Sequence, residues 1–149
     1  PCPVFERPLV KSIMKLKVFR SVWGLPGVRG VKQLVAALQQ GGFQGVEASL
    51  GDVDAIEGKG NRAQWRDALA EAGLLHVAGL YTSWQDYEGG WEDVPPRHHL
   101  ARWEEQLGEA RELGCCHVNA HSGQDDWGEE AQDAFFADAL GPPARLRAA

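Results

Sequence analysis

Apolar positions along this chain change period in a regular way. Leu16, Val18, Phe19, Val22 and Trp23 crowd residues 15–23, and Gly24, Pro26 and Gly27 close the stretch, the pattern of a strand. Val31, Leu34, Val35 and Leu38 then fall at i, i+3, i+4 and i+7, one face of a helix that Gly41 and Gly42 end. Residues 43–50 form a second short apolar run, and Trp65, Ala68, Leu69 and Ala72 repeat the helical spacing up to Gly73. Residues 74–82 are a third strand candidate, followed by a long polar loop over 83–96. Pro95 and Pro96 suit a helix start, Leu100, Trp103, Leu107 and Ala110 form the next stripe, and Gly114 ends it. A fourth strand is expected over 115–120 and a fourth helix over 129–140, with Ala131, Ala134 and Phe135 as its inner face.

The chain therefore reads as four βα units in one domain over residues 15–140, with irregular ends at 1–14 and 141–149. Such alternation predicts an α/β fold with a parallel sheet covered by helices. Right-handed crossovers put every strand's C-terminal end on one side. Two architectures fit. An open doubly wound sheet needs a glycine-rich phosphate turn after the first strand, but Gly24, Gly27 and Gly30 have the wrong spacing and Pro26 removes an amide donor. The other is a partial (β/α)8 barrel, about four units of an architecture that takes roughly 250 residues when closed.

Composition narrows the function. Of 149 residues, 44% are hydrophobic and 24% charged, ordinary values for a globular domain. The net charge of -6 argues against nucleic acid as the main partner. No apolar run approaches the roughly 18 residues of a membrane span, and residues 1–13 lack the apolar core of a signal peptide, so a cytoplasmic setting is expected. The chain begins without Met, which fits a fragment or a processed product. Cys2, Cys115 and Cys116 form neither a disulfide framework nor a zinc motif; the last two are expected as small buried filler.

Chemistry in either architecture gathers at the strand C-termini. Those places hold Trp23, Glu47, Ser49, Tyr81, Thr82, Ser83, Trp84, Asn119, His121 and Ser122, a mix suited to a sugar, with aromatic faces on C–H surfaces and polar groups on hydroxyls. Alternation on the fourth strand puts His117, Asn119 and His121 on one face, toward a lumen or cleft, and Cys116, Val118 and Ala120 toward covering helices. His121 is a candidate metal ligand or substrate donor. Glu47 sits in an otherwise apolar strand, so it needs a partner: a substrate hydroxyl, a proton to move, or a salt bridge to a base such as Arg20. The acidic and aromatic loop over 83–96 suggests a lid, Asp125 or Asp126 a helix cap, and His98 and His99 surface positions.

Four segments carry a resemblance: Val18-Phe19-Arg20-Ser21-Val22-Trp23-Gly24, Gly42-Phe43-Gln44-Gly45-Val46-Glu47-Ala48-Ser49-Leu50, Gly79-Leu80-Tyr81-Thr82-Ser83-Trp84 and Val118-Asn119-Ala120-His121-Ser122-Gly123. In this order they resemble the N-terminal half of the sugar phosphate isomerase/epimerase family, whose members have the xylose isomerase-like TIM barrel. The resemblance implies a divalent metal (Mn, Mg, Co or Zn) at the barrel mouth and proton transfer beside a sugar carbonyl, with Glu47 and His121 as catalytic groups and His121 beside the metal. It implies substrate contacts from Trp23, Tyr81, Ser83, Trp84, Asn119 and Ser122, and a sugar or sugar phosphate as partner. The family's main metal ligands and paired acid/base carboxylates come from strands five to eight, and a strand-five motif beginning His-Glu-Thr-His is absent here. The expectation is a fragment inactive alone, prone to self-association or to pairing with a C-terminal half. A non-catalytic sugar-binding or assembly module is an alternative. An endonuclease IV-like phosphodiesterase is another, weakened by the acidic charge and by a third strand ending without histidine.

Overall fold

The computed structural model describes residues 15–82, 95–121 and 127–140. Four strands, β1 (Phe19–Ser21), β2 (Gly45–Ser49), β3 (Leu75–Tyr81) and β4 (His117–His121), form one sheet in the order β1-β2-β3-β4. Every pairing is parallel. Five α-helices join them: α1 (Val31–Gln40), α2 (Leu50–Glu57), α3 (Arg62–Glu71), α4 (Pro96–Glu112) and α5 (Glu129–Leu140). Spatial order equals chain order, without the reversal that defines a doubly wound sheet. The protein is α/β, a sector of a (β/α)8 barrel with about four βα units.

Burial shows which face the helices cover. Val46, Ala48, His76, Ala78 and Leu80 are buried; on the alternate face Glu47, Leu75 and Val77 are half-buried, while Gly45, Ser49, Gly79 and Tyr81 are buried too. The first set packs with Leu34 and Leu38 of α1, Leu50 and Val53 of α2, Trp65 and Leu69 of α3, and Ala110 and Leu113 after it. This single core sits between sheet and helices. Leu34, Leu38, Val46, Val53, Trp65 and Leu80 have no exposed surface at all, and burying each such side chain contributes about 1.5–3 kcal/mol.

Local signals explain the element ends. The helix α1 closes through Gly41 and Gly42, the latter at φ 70, where a side chain is strained. Its N-terminus has no side-chain cap of its own; Glu57 at the end of α2 accepts from the Val31 amide at 2.6 Å instead. Helix α2 starts with a capping box: Ser49 Oγ accepts from the Asp52 amide at 3.0 Å, and Asp52 Oδ2 accepts from the Ser49 amide at 2.9 Å. Arg62 ties three helices together. It forks onto both Asp54 oxygens at 2.8 and 2.7 Å and donates to Glu109, and these carboxylates hold its guanidinium well above the usual arginine range.

Several expectations are corrected here. The first strand is short, and Val22–Gly24 make a single 3-10 turn instead of its end. The helix α2 was not expected. His99 is fully buried, bonded through Nδ1 to Thr82 Oγ1 at 3.1 Å and edge-on to Trp127, because docking of α4 on the end of β3 turns it inward. Cys115 packs against the core, but Cys116 is exposed, and so is Ala120. The loop over 83–96 and the caps at Asp125 and Asp126 fall mainly or wholly outside the described residues.

Candidate functional site

The uncovered face of the sheet carries the polar residues. Register sets Ser49, Gly79 and Asn119 in one row, and Glu47, Val77 and His117 in the row below. Gly79 puts no side chain between its two neighbours. Asn119 reaches across that gap from β4 to β2, and its Nδ2 donates to Glu47 Oε1 at 3.0 Å. The partner of the strand-two carboxylate is thus an amide, not a base. Arg20 points elsewhere: it donates to the Gly24 carbonyl at 2.6 Å and lies over the Phe43 ring at 5.9 Å. The salt-bridge alternative for Glu47 is corrected on that ground.

One row higher, Tyr81 pairs with His121, and their rings stack at 5.1 Å and 19°. Tyr81 is held from behind. Gln106 of α4, fully buried, donates from Nε2 to the Tyr81 carbonyl at 2.7 Å, and the neighbouring Thr82 bonds His99 on the same helix. A polar stripe on α4 therefore fixes the end of β3, where an apolar stripe would leave that carbonyl without a donor. His121 itself is exposed.

Glu47, Ser49, Asp52 and Tyr81 line a small open cleft together with Ser21 and Trp23; its volume is about 60 Å³. Trp23 is 63% exposed, an unusual position for so large an apolar side chain. Carboxylate and hydroxyl oxygens alternate with aromatic faces around this mouth. Such a surface accepts hydrogen bonds from hydroxyl groups and packs against C–H faces.

Behind β2 a second histidine sets the backbone under the site. His76 Nε2 donates to the Ala48 carbonyl at 3.1 Å, and its Nδ1 accepts from Trp65 Nε1 at 3.4 Å with Cys115 Sγ at 3.3 Å. Burial lowers the His76 pKa against the opposing effect of the Ala48 bond, so the ring is neutral with its proton on Nε2. Burial first, and then the Cys116 thiol beside it, push the Cys115 thiol up to about 12, so it stays protonated.

Of the expected site residues, Glu47 and Asn119 are bonded, Tyr81 and His121 are stacked on the same face, and Trp23 lines the cleft. Ser83, Trp84 and Ser122 lie outside the described residues. Asp52 and His76 were missed; the Ser49-x-x-Asp52 spacing was the available signal for the first, while a lone buried histidine leaves none. Among the described residues no three His, Cys, Asp or Glu side chains gather as a metal-holding group. Glu47 and His121 by themselves offer fewer ligands than a divalent ion requires, so the described residues do not fit such an ion. Among them, too, no helix is long and apolar enough to cross a membrane.

No family model and no curated protein matches the chain. Among solved structures it is similar to a beta-arabinopyranosidase, with a TM-score of 0.51 and 12% sequence identity. The match covers 91% of this chain and 23% of that one, so the chain spans about a quarter of the length of the structure it resembles. At this identity the likeness is one of fold, and the shared fold is the α/β arrangement described above.

Proposed function

We propose that this chain is the N-terminal part of a sugar isomerase or epimerase barrel of the xylose isomerase-like kind, and that its open mouth holds the polyol. The observation that carries this reading is the Asn119–Glu47 bond across Gly79. It brings a strand-four amide and a strand-two carboxylate to one place, beside a stacked aromatic pair and an exposed tryptophan. The amide occupies one lone pair of Glu47 Oε1. The remaining lone pairs are available to accept a substrate hydroxyl or a proton from the carbon next to a carbonyl. His121, exposed and backed by Tyr81, is placed to donate to a substrate oxygen.

Moving a proton off one face of a carbon and back onto an adjacent atom requires an acid and a base in turn. The described residues supply a single cleft carboxylate not already committed to a helix cap, since Asp52 is bound to the Ser49 amide. The chain by itself is therefore expected to bind sugars weakly and to turn them over negligibly. The test combines saturation-transfer NMR for binding with an assay against ketopentoses and ketohexoses in the presence of Mn²⁺, Mg²⁺ or Co²⁺. Binding without turnover supports the proposal. Turnover by the monomer rejects the inactivity, and absence of binding to every sugar rejects the polyol site. The acidic net charge of -6 and the end of β3 at Tyr81, with Thr82 after it, disfavour a metal phosphodiesterase. A cytoplasmic location is part of the same proposal.

A further inference from the structure

The charges around the cleft discriminate between a free sugar and its phosphate. We infer that this half of the site takes an uncharged polyol, with the phosphorylated form selected against; the inference rests on the polyol reading above and narrows it. Two carboxylates, Glu47 and Asp52, line the cleft, and among the described residues no Lys, Arg or His shares the lining. The nearby cation in sequence, Arg20, is turned onto the Gly24 carbonyl and the Phe43 ring.

The cleft does contain one feature that ordinarily attracts anions, the N-terminus of α2, where free amides and the helix dipole favour negative charge. Here it is already filled. Asp52 closes back onto the Ser49 amide at 2.9 Å, and the Ser49 hydroxyl takes the Asp52 amide at 3.0 Å. A phosphate arriving at this point meets a carboxylate where it would need a donor. Glu47 adds a second like charge, and the overall charge of -6 adds a weaker, longer-ranged repulsion. A neutral polyol suffers none of this, because its hydroxyls donate to the same carboxylate oxygens.

The experiment measures saturation-transfer NMR affinities of the full chain for D-fructose and D-glucose, their 6-phosphates, and D-glucosamine, at low and high salt. The expected result is that each phosphate binds about tenfold more weakly than its parent sugar at low ionic strength, with the gap narrowing as salt rises. The substitution Asp52→Asn keeps an oxygen to accept from the Ser49 amide while removing the charge. That variant should move the ratio toward the phosphate. Glu71→Gln, an exposed change on α3, alters net charge equally and should leave the ratio where it was. Sugars that bind no better than their phosphates overturn the inference and leave the polyol site standing. Glucosamine is the opposite-charge control: its ammonium form should bind at least as tightly as glucose, and weaker binding overturns the charge argument. If no sugar binds at all, the polyol reading falls and this inference falls with it.

Discussion

Two glycines on the uncovered face make a matched test of the sheet. Neither Gly45 nor Gly79 has positive φ, so replacement by alanine asks only about space. A Cβ at Gly45 would stand 2.3 Å from the Leu75 carbonyl oxygen and 2.5 Å from the Phe19 ring. The first neighbour is backbone of the paired strand, so β2 and β3 must part or shift register. Overpacking of this kind costs about 1–3 kcal/mol, and a weakened ladder bond adds about 1 kcal/mol. Lower chain entropy in the unfolded state returns about 0.4–1 kcal/mol. The net loss is about 2–3 kcal/mol. At Gly79 the contacts are 3.1, 3.2 and 3.4 Å, all to the Tyr81 ring, which can swing by a few tenths of an ångström. Its net effect should stay within about 1 kcal/mol, but the ring must move on His121. Urea unfolding reads the difference. With a slope of about 1.5–2 kcal/mol/M, Gly45→Ala lowers the midpoint by roughly 1–2 M and Gly79→Ala by no more than about 0.7 M. Shifts of the His121 ring protons in NMR should accompany the second and not depend on its stability. Equal midpoint losses, or a larger loss at Gly79, would refute the strand spacing and register argued here.

Other substitutions probe the site and its supports. Asn119→Asp places a second carboxylate against Glu47 and should weaken sugar binding more than Asn119→Ala, as read by saturation-transfer NMR. His76 has a lowered folded pKa, so its unfolded form binds the proton more tightly; stability is full above the ordinary value of 6.5 and declines as pH falls below it. Urea midpoints measured from pH 7.5 down to 5 should show this decline, with a flatter slope in His76→Gln. Arg62→Met leaves Asp54 and Glu109 without their shared partner and should cost about 1–2 kcal/mol; a double-mutant cycle with Asp54→Asn should recover about 0.5–1.5 kcal/mol as coupling. A coupling near zero would show that the helix clip is ornamental.

Much of the fold was legible because its core obeys simple periods. Leu34 and Leu38 are buried where the spacing put them, and α5 spans residues 129–140 as expected. The helix α2 escaped notice because it is eight residues long and dense in acids, Asp52, Asp54 and Glu57, with its buried Leu50 and Val53 confined to the first half. Only its capping box marked it in the sequence. The stripe on α4 was partly misread for a related reason: His99 and Gln106 are buried by bonds to the end of β3, and a hydrophobic pattern cannot see a polar contact made from outside the helix. Glu47 was identifiable as a carboxylate in an otherwise apolar strand and Asn119 by alternation on the fourth, although each lies mid-strand and not at its end. Their bond was not, since it depends on register and on the missing side chain of Gly79.

The strand order also bears on how this chain acquires its shape. Each strand pairs with the next one along the polypeptide: Phe19 with Gly45, then Gly45 with Leu75, then Val77 with His117. Such a sheet can be laid down unit after unit, in the direction of synthesis, with one helical crossover to close at every step. The Asn119–Glu47 bond is different, for it spans 72 residues and vaults over an intervening strand. It has nothing to grip until β4 has docked, so this cross-strand link closes only after the fourth strand has emerged.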